Sequence, residues 1–195
     1  GLVTFTPTSS GPGATGTISV PVRFDASTND ISASTFDART YGSRIEVYSS
    51  SASNRTITAS GTYTTSGVSG HLQLYAQGNG NMSLDALTNN ATFSIGGGID
   101  FLGSGAGAER LLTGTNTWTV GGDIDFTGGQ FIPATTHTLS MTGSGTTLTF
   151  AGQQPYHLVI ATGASTTLQD SITPSGNVTV QSSATLTLGS SATIT

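Results

Sequence analysis

One five-residue pattern recurs along this chain at a nearly constant spacing, and that recurrence limits the fold more than any other feature. The strings Gly70-His71-Leu72-Gln73-Leu74, Gly97-Gly98-Ile99-Asp100-Phe101, Gly122-Asp123-Ile124-Asp125-Phe126 and Gly176-Asn177-Val178-Thr179-Val180 all read glycine, any residue, aliphatic, polar, apolar. Arg44-Ile45-Glu46-Val47 and Thr147-Leu148-Thr149-Phe150 follow the same alternation, with their glycines displaced to Gly42 and Gly145. The first apolar positions, 45, 72, 99, 124, 148 and 178, step by 27, 27, 25, 24 and 30 residues. A fixed period of this size is the mark of stacked supersecondary units, each unable to bury its apolar face alone.

Alternation over four or five residues places apolar side chains on one face of a strand and polar ones on the other. Two more short alternating runs follow in each period: Met82 and Leu84, then Phe93 and Ile95; Leu111, then Trp118 and Val120; Phe131, then Leu139 and Met141. Three strands per turn, separated by Gly, Asn, Ser and Thr, predict an all-β right-handed three-sided parallel β-helix of about six coils of 24–30 residues. An antiparallel sandwich also has short strands at regular spacing, but gives no reason for the glycine pattern to return. Glycine before the strand fits a corner where adjacent backbones approach closely. The expected core is two ladders, Ile45, Leu72, Ile99, Ile124, Leu148 and Val178, with Val47, Leu74, Phe101, Phe126, Phe150 and Val180 beside it.

Residues 1–41 fall outside the period. Ile18, Val20, Val22 and Phe24 alternate as a strand whose Pro21 suits an edge, and Leu2, Val3 and Phe5 suggest another. This segment is expected to serve as a non-repeating N-terminal β cap or as subunit-joining strands. Residues 42–195 form the β-helix, which still reads as repeat at Ala192-Thr193-Ile194-Thr195 and so is expected to be uncapped there. Gly1 stands without an initiator Met, leader or long apolar run, so a processed or excerpted chain without membrane insertion is expected.

Charged residues are only 8% of the chain against about 25% in ordinary soluble domains, and Lys does not occur. A net charge of -5 with five Arg offers no basic stripe for a phosphate backbone, which argues against nucleic acid. Without Cys, disulfides and thiolate metal sites are excluded. The triplets at Asn54, Asn81, Asn90 and Asn177 match the N-glycosylation acceptor pattern and fit a secreted surface.

Around Trp118-Thr119-Val120-Gly121-Gly122-Asp123-Ile124-Asp125-Phe126-Thr127-Gly128-Gly129 the sequence resembles the repeats of large secreted β-helix proteins of bacterial and archaeal surfaces. The likeness covers about residues 36–195 and rests on a loose motif, Trp-x-Val-x-Gly-Asn/Asp-aliphatic-x-apolar followed by Gly. It implies an extracellular or cell-surface coat, adhesin or fibre, and carries over no catalytic residue.

In-register stacking would also align outward side chains. One column reads Glu46, Gln73, Asp100, Asp125, Thr149, Thr179; another reads Arg44, His71, Gly98, Asp123, Thr147, Asn177. With coils about 4.8 Å apart, Asp100, Asp123 and Asp125 are expected to cluster beside His71 and Gln73, a candidate calcium or carbohydrate site. Lyases and hydrolases built on parallel β-helices use such acidic clusters, which is an analogy of fold alone. The simpler reading is a solvated polar face. His137 and His157 lack zinc spacing and are expected to be exposed or capped, and Trp118 is expected in the core. The function expected from these features is a structural, non-enzymatic subunit of an extracellular filament or surface coat, joined to copies of itself through coil ends and N-terminal strands. The alternative is a carbohydrate-binding or carbohydrate-cleaving module of an adhesin or viral spike.

Overall fold

The computed structural model describes residues 22–33, 36–37 and 44–195. All its regular elements are strands, stacked in parallel as a β-solenoid. The first side of the tube holds eight of them, in the order β1 (Val22–Asp25), β4 (Ile45–Ser49), β6 (Leu72–Ala76), β8 (Ile99–Phe101), β11 (Ile124–Asp125), β14 (Ser144–Thr149), β16 (Ser165–Leu168) and β18 (Thr185–Leu188). The other two sides share strands that bend around a corner, β5 (Arg55–Thr64) and β7 (Met82–Ile95). The near half of β7, Met82–Asp85, pairs with β9 (Glu109–Leu112), which pairs with β12 (Gly129–Ile132); this is the second side. Its far half pairs with β10 (Thr117–Val120), followed by β13 (Thr138–Met141), β15 (His157–Ile160) and β17 (Val178–Val180) along the third. Gly61 (φ 75°) and Asn90 (φ 51°) take left-handed conformations at these bends, where glycine and asparagine are the tolerated residues.

Alternation produces the core as expected. Ile45, Leu72, Ile99, Ile124 and Leu148 stack in register on the first side and are buried. Val47, Leu74, Phe126 and Phe150 are buried beside them, whereas Phe101 is half-buried and meets Phe126 edge-on at 5.6 Å. On the third side Tyr63 stacks on Phe93 at 4.6 Å, and Phe93 lies 4.3 Å from Trp118.

The C-terminal ladder differs from the expectation. Leu148 is followed on the first side by Leu168 and then Leu188, each 20 residues on, and not by Val178. Val178 and Val180 instead pair with Leu158 and Ile160 on the third side. In these last, shorter coils no named strand follows β12 on the second side, which continues in the parallel bridge between Ile172 and Ile194. Beside β12 the side-chain amide of Gln153 stands in for the missing strand: its Oε1 accepts the Phe131 N–H, and its Nε2 donates to the carbonyls of Gly129 (2.8 Å) and Phe126 (3.3 Å). The correct register is masked in the sequence by threonine at inward positions. Thr146 and Thr166 are buried and bond each other through their hydroxyls at 2.9 Å, so each needs no water to be satisfied.

The N-terminal expectation is also refined. Val22–Asp25 pairs in parallel with Ile45–Tyr48, and Ile31–Ala33 with Ile57–Ala59, so these residues add a further coil to the stack. The strands suggested around Ile18–Val20 and Leu2–Phe5 lie outside the described residues.

Candidate functional site

The outward columns form in the register expected as far as Thr149 and Thr147, whereas Thr179 and Asn177 lie on the third side. Arg23, Glu46, Gln73, Asp100, Asp125 and Thr149 follow one another across successive coils of the first side. What they do not form is an acidic cluster. Asp100 turns toward the preceding coil, where its Oδ2 lies 2.8 Å from His71 Nδ1 and accepts a hydrogen bond from Gln73 Nε2 at 3.0 Å. Asp123 Oδ1 accepts the backbone N–H of Thr147 at 2.7 Å, and Asp125 Oδ1 that of Thr127 at 2.8 Å. Among the described residues no group of three or more His, Asp or Glu side chains could hold a metal ion. The expected calcium site at Asp100, Asp123 and Asp125 is therefore not assembled. A backbone N–H, two residues on for Asp125 and on the next coil for Asp123, competes successfully for a short Asp side chain.

His71, Gln73 and Asp100 do form a local unit. His71 Nε2 lies 2.9 Å from the carbonyl oxygen of Val68, so both ring nitrogens face acceptors. The hydrogen bond to Asp100 raises the His71 pKa against the opposing effect of burial. Burial pulls the Asp100 carboxyl up, but the hydrogen bonds from His71 and Gln73 outweigh it and hold the pKa below the ordinary value. The result is a hydrogen-bonded pair, ionic when His71 is protonated, that ties the Ser66–Gly70 corner to the next coil. It has the character of a clasp.

The sequence concealed three charged or titratable sites. Glu46 occupies an outward position yet is only 2% exposed, because Arg23 Nε (2.8 Å) and Arg44 Nε (2.7 Å) close over its two oxygens. Burial alone would raise its pKa; the two guanidinium hydrogen bonds bring it below the usual carboxylate range. Arg23 also lies over the Tyr48 ring, 4.5 Å from its centroid. Glu109 follows Met82 in register on the second side, at an inward position, and accepts the Ala76 N–H at 3.0 Å; burial pushes its pKa up. The third is His137. Expected to be exposed or capped, it is fully buried between Trp118 (5.6 Å) and Phe131 (6.0 Å), with Nδ1 3.2 Å from the Gly114 carbonyl. Its pKa falls to about 4, chiefly through burial. His157 is half-buried and its Nδ1 accepts the Asn177 N–H at 2.9 Å. Trp118 is in the core, as expected, with Nε1–H donated to Ala91 O at 3.1 Å.

Of the four acceptor triplets, Asn54, Asn90 and Asn177 are exposed and Asn81 is half-buried. Asn54 and Asn81 hold successive coils: Asn54 Oδ1 accepts the Asn81 N–H (2.9 Å), and Asn81 Oδ1 accepts the Ala108 N–H (3.0 Å). Asn90 uses both ends of its amide, accepting the Thr115 N–H (2.7 Å) and donating Nδ2 to Asn116 Oδ1 (3.0 Å). The 27-residue recurrence from Asn54 to Asn81 was the signal for this ladder.

Comparison of the chain with protein-family models, with curated proteins and with solved structures found no match.

Proposed function

We propose that this chain is a rigid structural segment of an extracellular filament or surface coat, and that its partners are further copies of itself. The observation that carries the reading is where its polar side chains go. Glu46, Asp100, Asp123, Asn54, Asn81, Asn90 and Gln153 each bind a group on a neighbouring coil, an arrangement that stiffens a rod. Eight strands stacked along one side give it a length of about 34 Å at the usual strand spacing. Strand edges exposed at the ends of such a stack are templates for continuation by backbone hydrogen bonding. A sparsely charged, Thr- and Ser-rich surface without Lys suits dense packing in a coat. The alternative glycan-binding role at the acidic face would have to recruit Asp100, Asp123 and Asp125 away from the bonds they already make.

Electron micrographs of native material test the proposal. Rods or fibres whose diffraction shows a repeat of about 4.8 Å along the axis are expected. Only monodisperse single molecules would overturn it.

A further inference from the structure

The third side carries an uncharged hydroxyl array across four coils, longer than the one that Thr147, Thr167 and Thr187 form with Ser165 and Thr185 on the first side. Its outward residues form two parallel columns. One runs through Thr62, Thr92, Thr117 and Thr138, and the other through Thr64, Ser94, Thr119 and Ser140. The pairs Thr62 with Thr92, Thr64 with Ser94, Ser94 with Thr119, Thr117 with Thr138 and Thr119 with Ser140 are in direct register. Thr92 and Thr117 adjoin through the same register, and Asn116 Nδ2 reaches Thr92 Oγ1 at 2.8 Å between them. Four successive coils therefore repeat hydroxyl, inward residue, hydroxyl, with no charge at any of the eight positions, and all but the buried Ser140 reach the surface. The columns continue into His157 and Asn177, and into Val159 and Thr179.

Two features make this array a lattice. Hydroxyls in one strand are separated by two residues, about 6.6 Å, and those in adjacent coils by about 4.8 Å. The inward residues between the columns on the first three of these coils are Tyr63, Phe93 and Trp118, with ring centroids 4.6 and 4.3 Å apart, a close-packed support beneath the strands. The Thr119 hydroxyl donates to Ser94 Oγ at 3.0 Å, so the columns are ordered relative to one another. Threonine adds a methyl group beside each hydroxyl, and water against an apolar group has restricted orientations. An ordered grid of hydroxyls and methyls would hold first-layer water at its own spacings, and the oxygen repeats of hexagonal ice lie close to both.

We propose that this face, centred on Thr92, Thr117 and Thr119, binds the surface of crystalline water. The ligand is ice, taken up through an ordered water layer rather than through a charged or sugar-specific contact. The inference is independent of filament assembly, which micrographs test separately.

The test is incorporation of the purified full chain into a slowly growing ice shell, together with thermal hysteresis. Three proteins are compared: the parent, Thr117→Lys in the middle of the array, and Thr58→Lys on the second side, where Thr58 is the register neighbour of Asp85. The parent and Thr58→Lys are expected in the ice with measurable hysteresis, and Thr117→Lys is expected to lose both. Exclusion of the parent from ice overturns the proposal, and equal incorporation of all three overturns the assignment of the face. If circular dichroism shows that Thr117→Lys is unfolded, the double variant Thr92→Ser and Thr117→Ser replaces it. That variant keeps the hydroxyls and removes two methyls, so reduced hysteresis supports the array and unchanged hysteresis overturns it.

Discussion

Replacing His137 by leucine should flatten the acid side of this protein's stability profile. The imidazole is fully buried with a pKa of about 4 against an ordinary 6.5. A base whose pKa is depressed on folding takes up its proton more readily in the unfolded chain, so stability is complete above pH 6.5 and is lost as pH falls toward 4. A shift from 6.5 to about 4 corresponds to about 3 kcal/mol at the low end of that window. Leucine cannot be protonated, although it also removes the contact to Gly114 O at 3.2 Å, a loss of about 1 kcal/mol at every pH. Urea unfolding of both proteins across the window separates the two effects. Below pH 6.5 the parent should lose stability steeply, while the variant starts lower and changes little. Parallel profiles would show that His137 is not buried as a neutral imidazole, and the argument would fail.

His71 behaves in the opposite sense. Its raised pKa gives stability that is present below pH 6.5 and lost as pH rises through the folded value, so imidazole NMR titration should show a pKa above 6.5 that drops in Asp100→Asn. Glu46→Ala should cost about 1–3 kcal/mol, because two charge-assisted hydrogen bonds are lost while the guanidinium groups left behind are half-exposed to water, and limited proteolysis should then attack β1 first. Gln153→Ala should cost about 1–3 kcal/mol in urea unfolding, since it bares the Phe131 N–H and the Gly129 carbonyl at β12 on the second side. An unchanged midpoint in that last variant would mean that water replaces the amide at no loss.

The solenoid was legible because its period and its two-residue alternation act together. Leu72, Ile99 and Ile124 are separated by coils long enough to repeat all three sides, so glycine pattern and strand register coincide. The register failed where those signals parted. At Gly176-Asn177-Val178-Thr179-Val180 the pattern recurs on a different side, while the true first-side strand keeps Leu168 at the aliphatic position but is followed by Asp170 where the second apolar residue was sought. The outward columns were also legible, since alternation fixes which side chains face away from the core. Side-chain direction was not. Whether Asp123 joins Asp100 or caps the Thr147 N–H depends on corner geometry, which a one-dimensional pattern does not carry. Glu46 and His137 were misjudged for a related reason, because their burial is produced by Arg23 and Arg44 from two different coils and by Trp118 and Phe131 from two different strands.

The central claim is that coils of about 25 residues give way to coils of 20 without a break in the first side. The chain has no cysteine, so pairs can be introduced cleanly. Thr147 and Thr167 are register neighbours, and the strand spacing of about 4.8 Å lies within disulfide reach. Thr147→Cys with Thr167→Cys should oxidise to an intramolecular disulfide, and Thr147→Cys with Asn177→Cys should not. A disulfide in the second pair and none in the first would restore the 30-residue step and contradict the account.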